Sequence, residues 1–337
     1  MNFKDLTFLI HGGGLSGETY GVTTSRPTQA LILSIRKYFP ESVLMISTWD
    51  SEPYKKYNQY VDQIMIGPDP GVTWASKELK TQSAINRHII SSKNGLGIVV
   101  TKYVVLIRHD VIFENAKLKS FLTKHFSNKK NKSKIVALAG GTLDEYSRLR
   151  KPFVFHICDF LYIGRTDKIK SLFDIANEID CFYPEMYFEK FNKPIFKDER
   201  FNDSYLQRWI PESFVIKQFA ARLGYVIPLS SYDFSEKYKL VSQQLIKDHF
   251  YLIDKKTIGI RWLKNNNSWQ DGLGGIVGRY TQFLYLSRQT NFLPLKLIYR
   301  LFHHIKIIQK IIFFLTRRLY IKLVRSVGVT LKKLGAS

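Results

Sequence analysis

The sequence predicts an α/β fold with a mainly parallel sheet, followed by a C-terminal basic amphipathic helical segment. Over the first 115 residues, short apolar runs of the length of buried strands alternate with segments of helical periodicity. No acidic residue follows Asp271, although basic residues continue to the end of the chain. These observations predict two regions, an α/β domain over 1–271 and a basic helical region over 272–337.

The elements of the α/β domain follow from local signals. A helix begins after Ser25, with Pro27 in its first turn, and ends at Tyr38 before Pro40. A second helix contains Ser83–Ser91. The predicted strands are Leu6–His11, Val43–Thr48, Gln63–Ile66 and Lys102–Arg108. In such a sheet a functional site lies at the carboxyl ends of the strands.

The composition of the chain narrows the classes of protein to which it can belong. The chain has 51 Lys and Arg against 28 Asp and Glu, a formal net charge of +23, which favours an anionic partner. Its two cysteines, Cys158 and Cys181, form no CxxC pair, which argues against a disulfide framework or a zinc knuckle and favours a reducing cytoplasm. We find neither a signal peptide nor an apolar run long enough to span a bilayer.

About half of the excess charge lies in the last 66 residues. On a helical wheel, the basic residues of 296–325 occupy one arc of about 160°, and most apolar residues lie opposite. This pattern favours binding of 292–337 to an anionic membrane surface. Two alternatives are a packed helix with a solvated basic face and, with less support, a nucleic-acid-binding segment.

The glycines after the first strand, Gly12 to Gly14 and Gly17, match GxGxxG. A dinucleotide site requires a helix that opens at the glycines, whereas the helix signals begin about eight residues later. We therefore expect a glycine loop that approaches a nucleotide, but not an NAD site.

Four polar residues are candidates for chemistry. Asp110, beside Arg108 at the mouth of a strand, suits a divalent cation or a phosphate-bearing substrate, or is a solvated surface residue; we expect it to contribute little to core packing. His156 and Asp159 share an aromatic-rich stretch, although a lone His is more often a core residue. Glu212 opens a helix, a common structural place for Glu and a possible place for a catalytic base.

The chain resembles the WavE-type lipopolysaccharide-synthesis proteins, which are assigned as bacterial glycosyltransferases. The resemblance covers about residues 6–225, includes the run Ile46–Asp50, and is most specific over Ser34–Pro40 and Ser47–Trp49. The chain departs from the family at Gly12–Gly14, where we expect a Gly-Pro pair, and at His109, where we expect a small polar residue. The other matching segments are Asp69–Gly71, Asn86–Arg87, Lys93–Gly95, Arg108–Asp110, Phe155–Asp159 and Pro211–Glu212.

The resemblance implies a GT-A-like, Rossmann-like transferase. It would move a sugar from a nucleotide donor to a lipopolysaccharide or capsular glycan, on a lipid-linked or saccharide acceptor, at the cytoplasmic face of the inner membrane. The leaving diphosphate would be neutralised by Mg²⁺ or Mn²⁺ at Asp110, or by Arg87 and Arg108. The catalytic base would be Glu212 or Asp159, with His156 behind them. The residues expected to bind the donor are Gly12, Gly13, Thr48, Trp49, Asp50, Asp69, Asn86, Arg87 and Arg108.

Two other functions remain open at this stage. A non-catalytic scaffold of glycan assembly at the membrane would need only the basic tail and would bind no nucleotide sugar. A basic nucleic-acid-binding protein would lose affinity steeply with salt.

Overall fold

A computed structural model describes most of the predicted α/β domain. The described residues all belong to one compact unit, Met1–Gln282. They are 1–15, 27–76, 81–128, 131–138, 154–175, 211–228, 235–253 and 255–263. The predicted helical region over 272–337 and the cap at Ser25 lie outside the described residues. Across the described residues, no helix has the length and apolar character that a membrane crossing requires.

The strands alternate with helices along the chain. The strands are β1 (Leu6–His11), β2 (Val43–Trp49), β3 (Gln63–Gly67), β4 (Thr73–Ser76), β5 (Thr81–Ser83), β6 (Tyr103–Arg108), β7 (Val111–Phe113), β8 (Ile135–Leu138), β9 (Cys158–Arg165), β10 (Phe250–Ile253) and β11 (Ile260–Trp262). The helices are α1 (Pro27–Tyr38), α2 (Ile85–Ile98), α3 (Lys117–Ser127), α4 (Thr166–Leu172), α5 (Pro211–Arg222), α6 (Glu236–His249) and α7 (Lys255–Ile258).

Seven strands form the main sheet in the order β10–β8–β9–β6–β1–β2–β3. Strand β1 pairs in parallel with both β2 and β6, β2 pairs in parallel with β3, and β8 with β10. Strand β9 alone among these seven runs antiparallel to its neighbours, β6 and β8. The predicted mainly parallel α/β sheet is therefore confirmed, with one reversed strand inside it.

Helices cover both faces of the sheet. Phe8 packs its ring against Phe39, the residue after α1, at 4.8 Å between centroids. Leu9 points to the opposite face because side chains alternate along a strand, and there it meets α2 at Gly95. A Cβ on Gly95 would lie 2.7 Å from the Cβ of Ser47, so only glycine lets this helix approach the sheet so closely.

Two small ladders complete the fold. Strands β4 and β5 form an antiparallel pair, and β11 pairs antiparallel with β7. The second ladder brings residues 260–263 beside the end of β6, where the Leu263 N–H donates to the Asp110 carbonyl at 2.9 Å.

Most predicted boundaries lie within one or two residues of the observed ones. The first strand agrees fully, and the second and third are each one residue longer than predicted. Helix α2 begins at Ile85 rather than Ser83 and extends to Ile98, because the segment after Ser91 still buries Gly95 and Leu96.

Candidate active site

The candidate site lies where the order of the strands reverses. From β1 the chain builds outward to β2 and β3 and then returns through α2 to β6, on the other side of β1. The carboxyl ends of β1 and β6 therefore lie side by side at this edge, up to the pair His11 and Arg108, and the carboxyl edge at such a reversal is the usual place for a ligand. The amino end of β9 lies at the same edge because β9 is antiparallel.

Arg108, the last residue of β6, bridges two buried carboxylates. Its Nε donates to Asp110 Oδ1 at 3.2 Å and its Nη2 to Asp110 Oδ2 at 2.9 Å. Its Nη1 lies 3.3 Å from Asp159 Oδ2. Burial alone would lower the pKa of Arg108, but the charges of Asp159 and Asp110 outweigh it and raise that pKa. Arg108 is therefore a fixed cation held from two sides.

Asp110 is buried at 1 % exposure, so the solvated surface alternative and the expectation of little packing are both wrong. Trp262 Nε1 donates to Asp110 Oδ2 at 2.8 Å, from a residue 152 positions along the chain. Burial alone would raise the pKa of Asp110, but Arg108 and these hydrogen bonds lower it to about 2. The sequence suggested exposure because Asp110 follows a strand end; β11 covers it.

Aromatic rings support this ion pair. The Arg108 guanidinium lies 4.8 Å from the centroid of the Phe160 ring, and the rings of Phe160 and Trp262 are 4.8 Å apart. Neither aromatic residue was among the predicted site residues. Trp262 lies beyond the segment that resembles the family, and Phe160 reads as an ordinary strand residue.

A β-bulge interrupts the ladder between β8 and β9 beside Asp159. Ala137 pairs with Tyr162, but Leu138 pairs with Cys158, three residues before Leu161, the partner that a regular antiparallel ladder would give. Such bulges redirect side chains and are common beside active sites. Just before it, Phe155 adopts a positive φ of 56° and donates its backbone N–H to Ser242 Oγ at 2.8 Å.

Glu212 lies in the first turn of α5. Burial, followed by the negative charge of Asp159, raises the pKa of Glu212 to about 7. The charges of Glu212 and Arg108 also influence each other, so α5 places this carboxylate within electrostatic reach of Arg108. Arg108, Asp110, Asp159 and Glu212 are called the cluster below. A carboxyl group that titrates near neutral pH suits proton transfer.

Buried histidines surround the cluster. Burial lowers the pKa of His156 to about 4, so His156 is neutral at pH 7 beside Asp159. His11 ends β1 and shares a hydrogen bond of 3.2 Å with Ser92 Oγ, and its ring lies 5.3 Å from that of His88. Burial lowers the pKa of both His11 and His88. Neither was predicted, although His11 is the last residue of a correctly predicted strand.

Several predicted donor-binding residues lie at the β1–β2 end of the same edge. Thr48 and Trp49 are buried at 1 % and 2 % exposure, and Thr48 Oγ1 donates to the Gly12 carbonyl at 3.0 Å. These two buried side chains thus support the glycine loop. Asp50 is exposed, and it follows β2 rather than ending it.

Asp69 and Arg87 pair with each other. Arg87 Nε donates to Asp69 Oδ1 at 2.7 Å, Arg87 Nη2 contacts the other oxygen, and the Gly71 N–H donates to Asp69 Oδ1. The hydrogen bond from Arg87 lowers the pKa of Asp69. Asn86 precedes Arg87 in the first turn of α2, which begins at this edge. The pair ties the loop after β3 to α2.

The carboxylates of Asp110 and Asp159, in this arrangement, do not fit a divalent metal site. Both oxygens of Asp110 already accept hydrogen bonds from Arg108 or Trp262, and both oxygens of Asp159 lie within 3.4 Å of Arg108. Within the part of the chain that the structure describes, no group of three or more His, Cys, Asp or Glu could hold a metal ion.

Solved structures with a related arrangement are distant. One is a protein from Bacillus anthracis assigned as a glucose-1-phosphate thymidylyltransferase, in complex with a sucrose; it is 12 % identical, covers 51 % of this chain and 76 % of its own, and gives a TM-score of 0.33. Another is HddC from Yersinia pseudotuberculosis, complexed with GMP-PN; it is 12 % identical, covers 52 % of this chain and 81 % of its own, and gives a TM-score of 0.31.

No curated protein matches the chain. The family model described as WavE lipopolysaccharide synthesis matches residues 16–213, more than half of the 337 residues. This range contains β2, β6, β9 and the start of α5, and so all four charged residues of the cluster. The chain belongs to the WavE lipopolysaccharide synthesis family.

Proposed function

We propose that the protein is a GT-A-like glycosyltransferase that moves a sugar from a nucleotide-sugar donor to a lipopolysaccharide or capsular glycan. Membership of the family supports a role in lipopolysaccharide synthesis. The observation that carries the reaction class is Glu212, whose pKa is raised to about 7 at the carboxyl edge of the sheet. A base in this range can accept the proton of a sugar hydroxyl at neutral pH.

In this proposal Glu212 takes the proton of the acceptor hydroxyl. The acceptor oxygen then bonds to the anomeric carbon of the donor sugar while the bond from that carbon to the diphosphate oxygen breaks. Asp159, the other candidate base, is engaged by Arg108 Nη1 at 3.3 and 3.4 Å. Glu212 is therefore the better base, and the negative charge of Asp159 keeps the pKa of Glu212 high.

His156 and Arg108 have positioning roles in the proposal. With a pKa of about 4, His156 stays neutral and adds no charge beside Asp159. Arg108 holds the carboxylates of Asp110 and Asp159 in place by ion pairs, and its guanidinium packs over the ring of Phe160. Because Arg108 and Arg87 are each paired with carboxylates, neither brings an unmatched positive charge to the diphosphate. The leaving group needs further hydrogen-bond donors at this edge.

The donor would lie along the β1–β2 end of the edge, against the glycine loop with Gly12 and Gly13. Asp50, exposed just after β2, is available to a ribose or a base. Asp69 and Arg87 hold the neighbouring loop in place. This arrangement leaves the β6–β9 end to the sugar and the acceptor.

We also propose that residues 292–337 hold the enzyme on anionic lipid at the cytoplasmic face of the inner membrane. The support is the sequence of this segment, which has basic residues but no acidic ones. An enzyme concentrated on that surface meets a lipid-linked acceptor in two dimensions.

The test is a thermal-shift screen of the full chain against a panel of nucleotide sugars, with and without Mn²⁺. The proposal expects one nucleotide class to raise the melting temperature, and transfer of its sugar to a saccharide acceptor. A membrane scaffold would bind no member of the panel. A nucleic-acid binder would instead bind oligonucleotides with an affinity that falls steeply with salt.

A further inference from the structure

The glycine loop after β1 already holds an anion, supplied by the protein itself. The backbone N–H of Gly14 donates to Glu52 Oε1 at 2.6 Å, and that of Leu15 donates to Glu52 Oε2 at 2.9 Å. Glu52 lies three residues after the end of β2. Two successive N–H groups that converge on one anion form the kind of concavity that also binds phosphate.

Residues 12–15 of the loop are fixed at both of their ends, so their N–H groups hold their directions. At the start, the Gly12 N–H donates to the Ser47 carbonyl at 3.1 Å. At the end, the Tyr57 hydroxyl donates to the Leu15 carbonyl at 2.9 Å, and the Leu15 side chain is buried in the core. Gly12 and Gly14 have φ values of 103° and 78°, which favour glycine.

A third donor lies beside Gly13, near the Glu52 carboxylate. Trp49 is 2 % exposed, and its Nε1 has no hydrogen-bond partner among the described residues. A Cβ built on Gly13 would lie 3.1 Å from Trp49 Nε1 and 2.7 Å from Glu52 Oε1. The absence of a side chain at Gly13 thus leaves a cradle lined by the indole N–H and occupied at one side by the Glu52 carboxylate. A buried N–H without a partner is costly, which marks this cradle as a site for an acceptor.

We propose that this cradle is a phosphate subsite and that Glu52 occupies it until a phosphate displaces the carboxylate. The inference deepens the proposed function, on which it rests for the identity of the ligand, by naming the place of the donor diphosphate. Three N–H donors suit a phosphate group, which offers more acceptor oxygens than a carboxylate.

Because phosphate and Glu52 compete for the same N–H groups, removal of the Glu52 charge should tighten phosphate binding rather than weaken it. In Glu52→Gln the competitor loses its charge, so phosphate meets less competition and less repulsion. We expect the affinity for inorganic pyrophosphate, measured on the full chain by isothermal titration calorimetry, to rise about tenfold. Glu52→Asp keeps the charge but shortens the reach, and should raise the affinity by a smaller factor.

Two further variants should act in the opposite direction. Gly13→Ala fills the cradle and Trp49→Phe removes its indole N–H while keeping most of the ring; each should lower the affinity for pyrophosphate about tenfold. Gly97→Ala is the matched control for Gly13→Ala, since a Cβ on Gly97 in α2 meets nothing within 4 Å. Its affinity should equal that of the unaltered protein.

The outcomes separate this inference from the proposed function. If Glu52→Gln binds pyrophosphate no better than the unaltered chain, Glu52 is a fixed strut of the loop and the inference is overturned. Should Glu52→Gln fail to fold, as circular dichroism would show, unchanged binding by both Gly13→Ala and Trp49→Phe overturns it instead. Tightened pyrophosphate binding in a protein that transfers no sugar would refute the proposed function alone.

Discussion

Replacement of Glu212 by Gln tests the proposed base through stability as well as activity. The pKa of Glu212 is about 7 in the folded protein, whereas an ordinary Glu titrates near ~4.3 in an unfolded chain. Between those values the folded protein holds a proton that the unfolded chain has lost. The stability that Glu212 contributes is therefore present below about pH 4 and is lost as the pH rises through about 7.

The size of the effect follows from about 1.4 kcal/mol for each pKa unit. Above pH 7 the ionised Glu212 costs the folded protein up to about 4 kcal/mol, and below pH 4 it costs almost nothing. Glu212→Gln should therefore raise the free energy of unfolding at pH 8 and change it little at pH 4. At ~2.1 cal/mol/K per residue of unfolding entropy, the gain at pH 8 corresponds to about 5 °C in melting temperature.

Activity should change in the opposite direction. Glu212→Gln keeps the size of the side chain but cannot accept a proton, so turnover should fall by about 10²–10⁴ while donor binding remains. In the unaltered enzyme the rate should rise with pH through about 7, as Glu212 ionises. Asp159→Asn removes the charge that raises this pKa and should move the profile to lower pH.

The measurements are melting curves at pH 4, 6 and 8 and a transfer assay over the same range. Glu236→Gln is the control, since Glu236 also lies in the first turn of a helix, α6, but its side chain is 75 % exposed and pairs with Lys239. Its melting temperature should change little at any pH. A melting difference for Glu212→Gln that is the same at all three pH values would refute the reasoning. If Asp159→Asn alone abolished turnover, the roles of the two carboxylates would be exchanged.

Three more predictions follow from the site and the tail. Asp110→Asn should lower the melting temperature at pH 7 by about 3–7 °C, because it breaks a buried ion pair worth about 2–4 kcal/mol. The difference should shrink as the pH falls toward 2, where Asp110 itself becomes protonated, and equal losses at pH 7 and pH 3 would contradict the lowered pKa of Asp110. Trp262→Phe should cost about 1–2 kcal/mol by removing the N–H that Asp110 accepts; a loss below about 0.5 kcal/mol in urea unfolding would show that β11 adds nothing to the pair. A chain that ends at Thr290 should lose sedimentation with anionic vesicles but keep transfer to a soluble acceptor, and equal sedimentation of both chains would favour a packed helix pair.

The sequence was sufficient for the parallel half of the sheet and not for the reversed strand. Buried parallel strands read as continuous apolar runs, so β1 could be predicted to the residue and β6 to within one. The direction of β9 is a property of its pairing with β6 and β8, which no local pattern encodes. The same is true of β8 and β10, two four-residue strands at one side of the sheet.

The candidate site divides in the same way. Arg108, Asp110 and Glu212 could be chosen because they lie at the ends of predicted elements, and Asp159 because it lies with His156 in an aromatic-rich stretch; the structure brings the four into one cluster. Trp262 could not be chosen, because its contact with Asp110 depends on a ladder formed between distant segments. Glu52 was missed for a related reason, since its partners are backbone groups that the sequence does not display.

One of the two most specific segments of the family resemblance, Ser34–Pro40, has a structural role. Within Ser34–Pro40, the Arg36 guanidinium donates to the carbonyls of Tyr60 and Ser42 and pairs with Asp62. The Ser34 hydroxyl accepts the N–H of Phe113 at 3.2 Å. These contacts hold α1 to the loop before β3 and to β7, away from the carboxyl edge. Specificity in a sequence segment thus reflects dense packing here as much as chemistry.

The charges at the carboxyl edge explain why the proposed reaction would be divided between its two ends. At the β6–β9 end one guanidinium pairs with Asp110 and Asp159 and interacts electrostatically with Glu212, so the cluster has no net positive charge and becomes more negative when Glu212 ionises. That field repels a diphosphate but stabilises positive charge as it develops at an anomeric carbon in the transition state of glycosyl transfer. At the β1–β2 end the N–H groups of the glycine loop already hold an anion. A donor whose phosphates lie at the loop and whose sugar extends toward Glu212 would meet a favourable potential at both ends, and the opposite orientation would meet an unfavourable one at both.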